Sequence, residues 1–384
     1  MRVYLAGTAM TTFGRHPEAS TVDLAVQAGR EALEDSGLQP GDVETLYVGN
    51  FLAQSLHHQG VLASLVARRL GLSLVPATAV EGACASAGIA LRHAIMSCRT
   101  GDARIALAIG TEQLTTSPVP EVTRGLAEAM DRETDGAVGL TFPGFFGLVA
   151  QAHAARFGTT AEQMASVVVK NRRHGQHNPV AMFRKEVTVE EVLASRPIAD
   201  PLRLYDCSPI SDGAAAAVVT AERPAAVTRP VVEVLACEQA SGPAAMADIE
   251  DITSFPATAA ASTRAYATAG ISPGELNVVE LHDCFSIAEI VDCEDLGLLS
   301  RGEAAAAIAD GATSYDVGKL VVNPSGGLLS RGHPVGATGL AQIHEIASQL
   351  RGTAIQQVRN AELGMAHNLG GCGASATVTV LGRA

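Results

Sequence analysis

The feature that most constrains this chain is that it repeats itself in order. A helix opened by Ser20 and Thr21, with Asp23 at the capping-box distance and Leu24, Ala28 and Ala32 at helical spacing, ends at Gly37. The string Gly37-Leu38-Gln39-Pro40-Gly41-Asp42-Val43 then leads to the apolar Leu46-Tyr47-Val48. The same string returns as Gly270-Ile271-Ser272-Pro273-Gly274-Glu275-Leu276 before Val278-Val279-Glu280-Leu281, at an offset of 233 residues. A helix over 85–99 with Gly88 matches one over 337–350 with Gly339, at an offset of 251, and the strand at Ile105 matches the strand at Met365, at 260. The last pair, Asp212 onward against Cys372 onward, falls at only 160, so the first half carries about 100 extra residues between its last two strands. Alternating strands and helices in each half predict α/β layers. Residues 1–118 and 206–225 read as the N-terminal half, 119–205 as an inserted cap and 226–384 as the C-terminal half. Six prolines at 118, 120, 143, 179, 197 and 201 predict that the insertion is broken into short elements.

Composition narrows the function classes. The formal charge of −13 argues against a nucleic-acid surface, whose footprint is a basic patch. No apolar run approaches the roughly 18 residues of a membrane span, and the start lacks the apolar stretch of a signal peptide, so a cytoplasmic location is expected. The seven cysteines include no Cys-x-x-Cys pair, so they read as thiols and not as a zinc ribbon or a disulfide framework. His57, His58, His174 and His177 have no carboxylate or Cys at ligand spacing, and no metal site is expected.

Four places could carry chemistry. Cys84 lies between a strand ending at Val80 and a long helix, where the positive end of the macrodipole would lower its pKa; a buried small residue is the competing reading. His333 sits in the glycine-dense Gly332-His333-Pro334-Val335-Gly336-Ala337-Thr338-Gly339, either as a structural histidine or as a base able to take a proton from a thiol. A phosphate cradle is disfavoured there, since no Gly-Lys-Ser/Thr ending follows. His282-Asp283-Cys284-Phe285 emerges at the end of the repeated strand, where α/β folds place reactive groups, though a core thiol beside a capping pair would look the same. His367-Asn368-Leu369-Gly370-Gly371-Cys372-Gly373 ends another strand in a turn whose N–H groups could face an oxyanion.

Together these motifs resemble those of thiolases, most of all the sterol-carrier-protein type and its archaeal and bacterial acetyl-CoA acetyltransferase relatives. Lys170-Asn171-Arg172-Arg173-His174 and Tyr205-Asp206-Cys207-Ser208-Pro209-Ile210 extend the resemblance over nearly the whole chain. It implies an α/β fold of duplicated β-α-β-α-β halves forming a layered α-β-α-β-α core with an inserted loop domain. It also implies an acyltransferase that makes or cleaves 3-oxoacyl-CoA through a Cys84 acyl-enzyme, with His333 as base. Many thiolases use a second Cys near the C-terminus, but the matching position here is Asn368, and Cys372 is displaced by four. In the sterol-carrier type the acid/base thiol comes from the His-Asp-Cys-Phe loop, which assigns that role to Cys284. His282 and His333 would hold the enolate oxygen, and the N–H groups of Cys84 and Gly370 the tetrahedral intermediate. Acyl-CoA and CoA are the expected ligands, with no cofactor beyond the CoA of the substrate. Lys170, Arg172, Arg173 and Arg184 are candidates to meet its phosphates, a solvated helix face being the plainer reading. A homodimer or homotetramer is expected. The alternative is an aldolase or C-acyltransferase on another acceptor, working with a small zinc-binding partner of the OB-fold type. A ketoacyl-synthase-like condensing enzyme, which has no need of Cys284, and a non-enzymatic scaffold complete the rivals.

Overall fold

The computed structural model describes residues 1–72, 74–224, 230–315 and 317–384. Among the described residues twelve strands run β1 Tyr4–Met10, β2 Thr45–Gly49, β3 Ala77–Val80, β4 Ile105–Glu112, β5 Pro197–Ala199, β6 Leu202–Arg203, β7 Gly213–Thr220, β8 Val232–Ser241, β9 Val278–Glu280, β10 Val321–Val322, β11 Leu363–Gly370 and β12 Ser375–Arg383. Ten of them form the order β10-β9-β11-β12-β8-β1-β7-β4-β2-β3, while β5 and β6 pair apart. Read from the middle outward, the two sides are the same five-strand pattern, joined in the sheet where Tyr4 and Leu5 of β1 meet Glu233 and Val232 of β8. The duplication is therefore a structural fact: Gly37 and Gly270 both end helices in the left-handed region, at φ 74° and 69°. Each is followed by a Pro-Gly turn, Pro40–Asp42 and Pro273–Glu275.

Helices Ser86–Thr100 and Thr338–Arg351 each pack against strands of both halves and form the middle layer. Thr21–Ser36 covers the outer face of one half and Pro256–Ala269 that of the other, giving the layered α-β-α-β-α arrangement. Strands covered on both faces need apolar residues throughout, and β7, Gly-Ala-Ala-Ala-Ala-Val-Val-Thr, is buried at every position. Small residues let the middle layer close. A Cβ on Gly339 would lie 2.7 Å from the Gly88 backbone nitrogen and nearer still to the Asn368 side chain. Gly339→Ala should therefore cost about 1–3 kcal/mol through overpacking, read as a lower denaturation midpoint, and should disturb Asn368. An unchanged midpoint would contradict the close approach.

The insertion differs from the sequence expectation. Residues 142–157 and 161–175 are helices of 16 and 15 residues, not short fragments. Pro143 is the second residue of the first of them, in the turn where a missing N–H leaves no bond unmade, and Thr160 with Gln163 forms a capping box on the second. The boundary between the halves expected at 225/226 lies outside the described residues. Among the described residues no helix is long and apolar enough to cross a membrane.

Candidate active site

The local folding of each motif brings the reactive side chains to one cavity. The turn Ala83–Ala85 follows β3 and leads into the helix Ser86–Thr100, with Ala83 at φ 50° in the left-handed region. Ser86 holds this turn, its hydroxyl accepting from the Gly82 N–H at 3.0 Å and donating to the Ala83 carbonyl at 2.7 Å. Cys84 thus sits at a helix start, as the sequence predicted. The predicted consequence fails: burial pushes its thiol up to about 12, with the Gly371 N–H opposing this and the Glu112 carboxylate adding to it. Desolvation of a buried thiolate outweighs the helix end, so Cys84 rests as a thiol and needs a base.

His333, the expected base, is positioned from three sides. The His333 N–H donates to the Ser211 hydroxyl at 2.7 Å, and three residues on the Gly336 N–H donates to Glu112 at 3.2 Å. The Thr338 hydroxyl donates to the Pro334 carbonyl at 3.3 Å, so its oxygen accepts from His333 Nδ1 at 2.8 Å. This leaves Nε2 of His333 as a lone-pair acceptor. Burial, reinforced by Arg331, pushes its pKa down to about 3, and the ring is neutral near pH 7. Asp283 braces the same loop, accepting from the Leu328 and Leu329 N–H groups at 2.7 and 3.2 Å. Behind it Arg331 and Glu280 form an ion pair at 3.1 Å with both side chains fully buried.

His282 takes the opposite tautomer. The Asn368 amide donates to its Nδ1 at 3.1 Å, which leaves the hydrogen on Nε2. Burial, with His333 and His367 adding, holds this imidazole far below its ordinary pKa. The two rings meet edge to face with centroids 4.9 Å apart, and the ligating atoms of Cys84, His282 and His333 all lie within 4.8 Å of one another. That spacing alone would suit a metal ion, but the Nε2–H of His282 is a donor to an oxyanion and offers no lone pair.

Cys84, His282, Cys284 and His333 share the wall of one cavity of about 710 Å³. Cys284 is buried, and desolvation, with Cys84 and nearby carboxylates adding, raises its thiol well above the ordinary range. Cys372 is buried too, and among the described lining residues it does not appear. Gly371 lines the cavity and its N–H acts on the Cys84 thiol, while Gly370, the expected donor, packs one residue earlier against Gly82 and Ala85.

The expected CoA-binding cations separate. Lys170 is buried, paired with Glu289 at 2.6 Å and bonded to the Val322 carbonyl at 3.1 Å, so its charge is satisfied inside the protein. Arg173 and Arg184 are exposed and do not line this cavity, whereas Arg172 does. Sequence reading missed Arg15 and Lys185, exposed residues on its rim, and Ser211 and Asn368, which orient the two histidines. No local pattern marks Ser211, whose partner lies 122 residues away.

This arrangement can do acyl-transfer chemistry: a thiol beside a neutral base, a second thiol, and N–H donors for developing negative charge. The comparisons agree with it. The thiolase N-terminal domain model matches residues 3–223 and the thiolase C-terminal domain-like model residues 239–383. An acetyl-CoA acetyltransferase of Methanothermobacter thermautotrophicus is 45% identical, with 99% of each chain covered. Sterol carrier protein 2 of Oryctolagus cuniculus is 35% identical over 99% of this chain and 71% of its own. Among solved structures, the Ltp2-ChsH2(DUF35) aldolase has a TM-score of 0.85 at 28% identity, covering 100% of this chain and 98% of that one. By full-length identity, domain models and fold alike, this chain belongs to the thiolase family.

Proposed function

We infer that the protein is a thiolase, an acyl-CoA C-acyltransferase that makes or cleaves 3-oxoacyl-CoA. The observation that carries this is the meeting of Cys84, His333, His282 and Cys284 at one cavity in a chain of this family. In cleavage, the Cys84 sulfur attacks the 3-oxo carbonyl while Nε2 of His333 takes its proton. The tetrahedral oxyanion meets backbone N–H groups, those of Cys84 and Gly371. Collapse breaks the C2–C3 bond, leaving an acyl group on Cys84 and the enolate of the shortened thioester. Nε2–H of His282 and the protonated His333 hold the enolate oxygen, and the Cys284 thiol gives its proton to the α-carbon. The protonated His333 then returns its proton to the Cys284 thiolate and, neutral again, takes the proton of incoming CoA as the CoA sulfur attacks the acyl-enzyme. The expelled Cys84 thiolate regains its proton from His333. Condensation is the same path reversed. Burial makes Cys284 a strong base once ionised, which suits removal of a weakly acidic carbon proton.

Arg15 and Lys185 on the rim are the cations we assign to the phosphates of CoA, with the exposed Arg184 beside Lys185. The likeness to an aldolase solved with a DUF35 partner supports a second reading, in which a small zinc-binding OB-fold protein completes the site. Turnover by the purified single chain separates the two. With CoA present it should convert acetoacetyl-CoA to acetyl-CoA; no acetyl-CoA would contradict the first reading. Because β3 ends the strand order with an open edge, a homodimer is the proposed assembly. Light scattering at the 39.4 kDa of one chain would contradict it.

The neutral pair of Cys84 and His333 has a pH signature. A pKa lowered to about 3 means the base stays unprotonated as pH falls from 8 toward 5, so kcat/KM should lack the acid limb near 6.5 of an ordinary imidazole. A half-maximal loss near pH 6.5 would contradict a buried neutral base.

A further inference from the structure

Among the described residues that line the cavity, Arg172 is the buried cation whose charge no carboxylate answers. Its side chain is only 7% exposed, yet no hydrogen bond or ion pair joins it to any described residue, and its Nε is enclosed and unpaired. Its guanidinium carbon lies 4.0 Å above the Phe183 ring and 5.5 Å from that of Tyr205. Aromatic faces hold the plane of the fork and leave its N–H edge for a partner. Burial lowers its pKa only to about 10, so it is cationic at neutral pH. The cavity's single carboxylate, Glu191, accepts from the Thr188 N–H at 2.8 Å at a helix start and makes no pair with it. A buried charge without a partner is costly, and a fork in a mostly apolar pocket is suited to a carboxylate, which it can bind through two parallel hydrogen bonds.

We propose that Arg172 is an anion subsite of the acyl-binding cavity, and that the enzyme selects acyl-CoA substrates whose acyl group carries a second, terminal carboxylate. The proposal rests on the thiolase reading and adds the substrate class. One guanidinium balances one carboxylate, whereas the phosphates of CoA bring several charges and have Arg15 and Lys185 on the exposed rim. The apolar lining of the cavity, which includes Phe142, Phe146, Met182 and Leu204 besides the Phe183 and Tyr205 rings beside Arg172, would bury the methylenes between thioester and carboxylate.

The test compares thiolysis of 3-oxoadipyl-CoA with that of 3-oxohexanoyl-CoA, which replaces the terminal carboxylate by a methyl group. The unaltered protein should favour the carboxylate substrate by about 10- to 100-fold in kcat/KM, mostly through KM. Arg172→Met should erase this preference while changing 3-oxohexanoyl-CoA turnover by no more than a few-fold, and Arg172→Lys should fall between. Should the Met variant not fold, the preference of the unaltered protein and the Lys variant still decide. Equal rates for the two substrates in the unaltered protein would overturn the proposal. An equal loss on both in Arg172→Met that vanishes with pantetheine thioesters would assign the residue to a CoA phosphate, and an equal loss on both carriers would make it structural. Failure of the unaltered protein on these substrates and on acetoacetyl-CoA alike would instead remove the thiolase reading itself.

Discussion

Cys84→Ala should abolish acyl transfer. Removing a covalent nucleophile costs on the order of 10⁶-fold in turnover, because base and oxyanion donors then have no group to act through. The fold should survive, since a small buried thiol becomes a methyl group in a turn fixed by Ser86, and the denaturation midpoint should move little. Steady-state thiolysis of acetoacetyl-CoA together with a midpoint measurement checks both parts. Residual turnover within about tenfold of the parent would require another acyl carrier. Cys284 is the nearest in kind, sharing the cavity wall.

Cys284→Ala is the next largest effect, with a different form. It removes only the proton transfer at the α-carbon, so condensation should fall by about 10²- to 10⁴-fold while acylation of Cys84 proceeds. Exchange of the α-protons of acetyl-CoA with deuterated solvent isolates that step. The parent should incorporate deuterium, Cys284→Ala should not, and Cys372→Ala should behave as the parent because Cys372 lies off the cavity lining. Incorporation that survives in Cys284→Ala and disappears in Cys372→Ala would move the role.

Much of this was legible before any coordinates, and the reason is local. The duplicated Gly-x-x-Pro-Gly turns at 37–41 and 270–274 each fix a helix end and the strand after it, and their constant offset exposes the two halves. Motifs that are short runs of chain, such as His282-Asp283-Cys284-Phe285, carry their chemistry in their spelling. What depended on tertiary environment was not legible. The helix start at Cys84 is written in the sequence, but the burial that overrides it comes from layers far apart in the chain. Lys170 and Arg172, two residues apart on one helix, share a basic run but differ in surroundings: Lys170 has Glu289, 119 residues away, and Arg172 has only aromatic rings. Proline interrupts a helix interior, which is why Pro143 predicts a break, whereas in the first turn, where it lies, it is compatible with the helix. Which N–H of the turn after β11 acts on Cys84 depends on a single-residue register that the spelling of the motif does not fix.

The division of labour between the two thiols is the centre of this account, and the intact mass of the Cys284→Ala protein after mixing with acetyl-CoA tests it most directly. The account predicts one acetyl group, located on Cys84 by peptide mapping, that persists because the second half-reaction has lost its acid/base thiol. An unacetylated protein, or an acetyl group found on any residue other than Cys84, would contradict it.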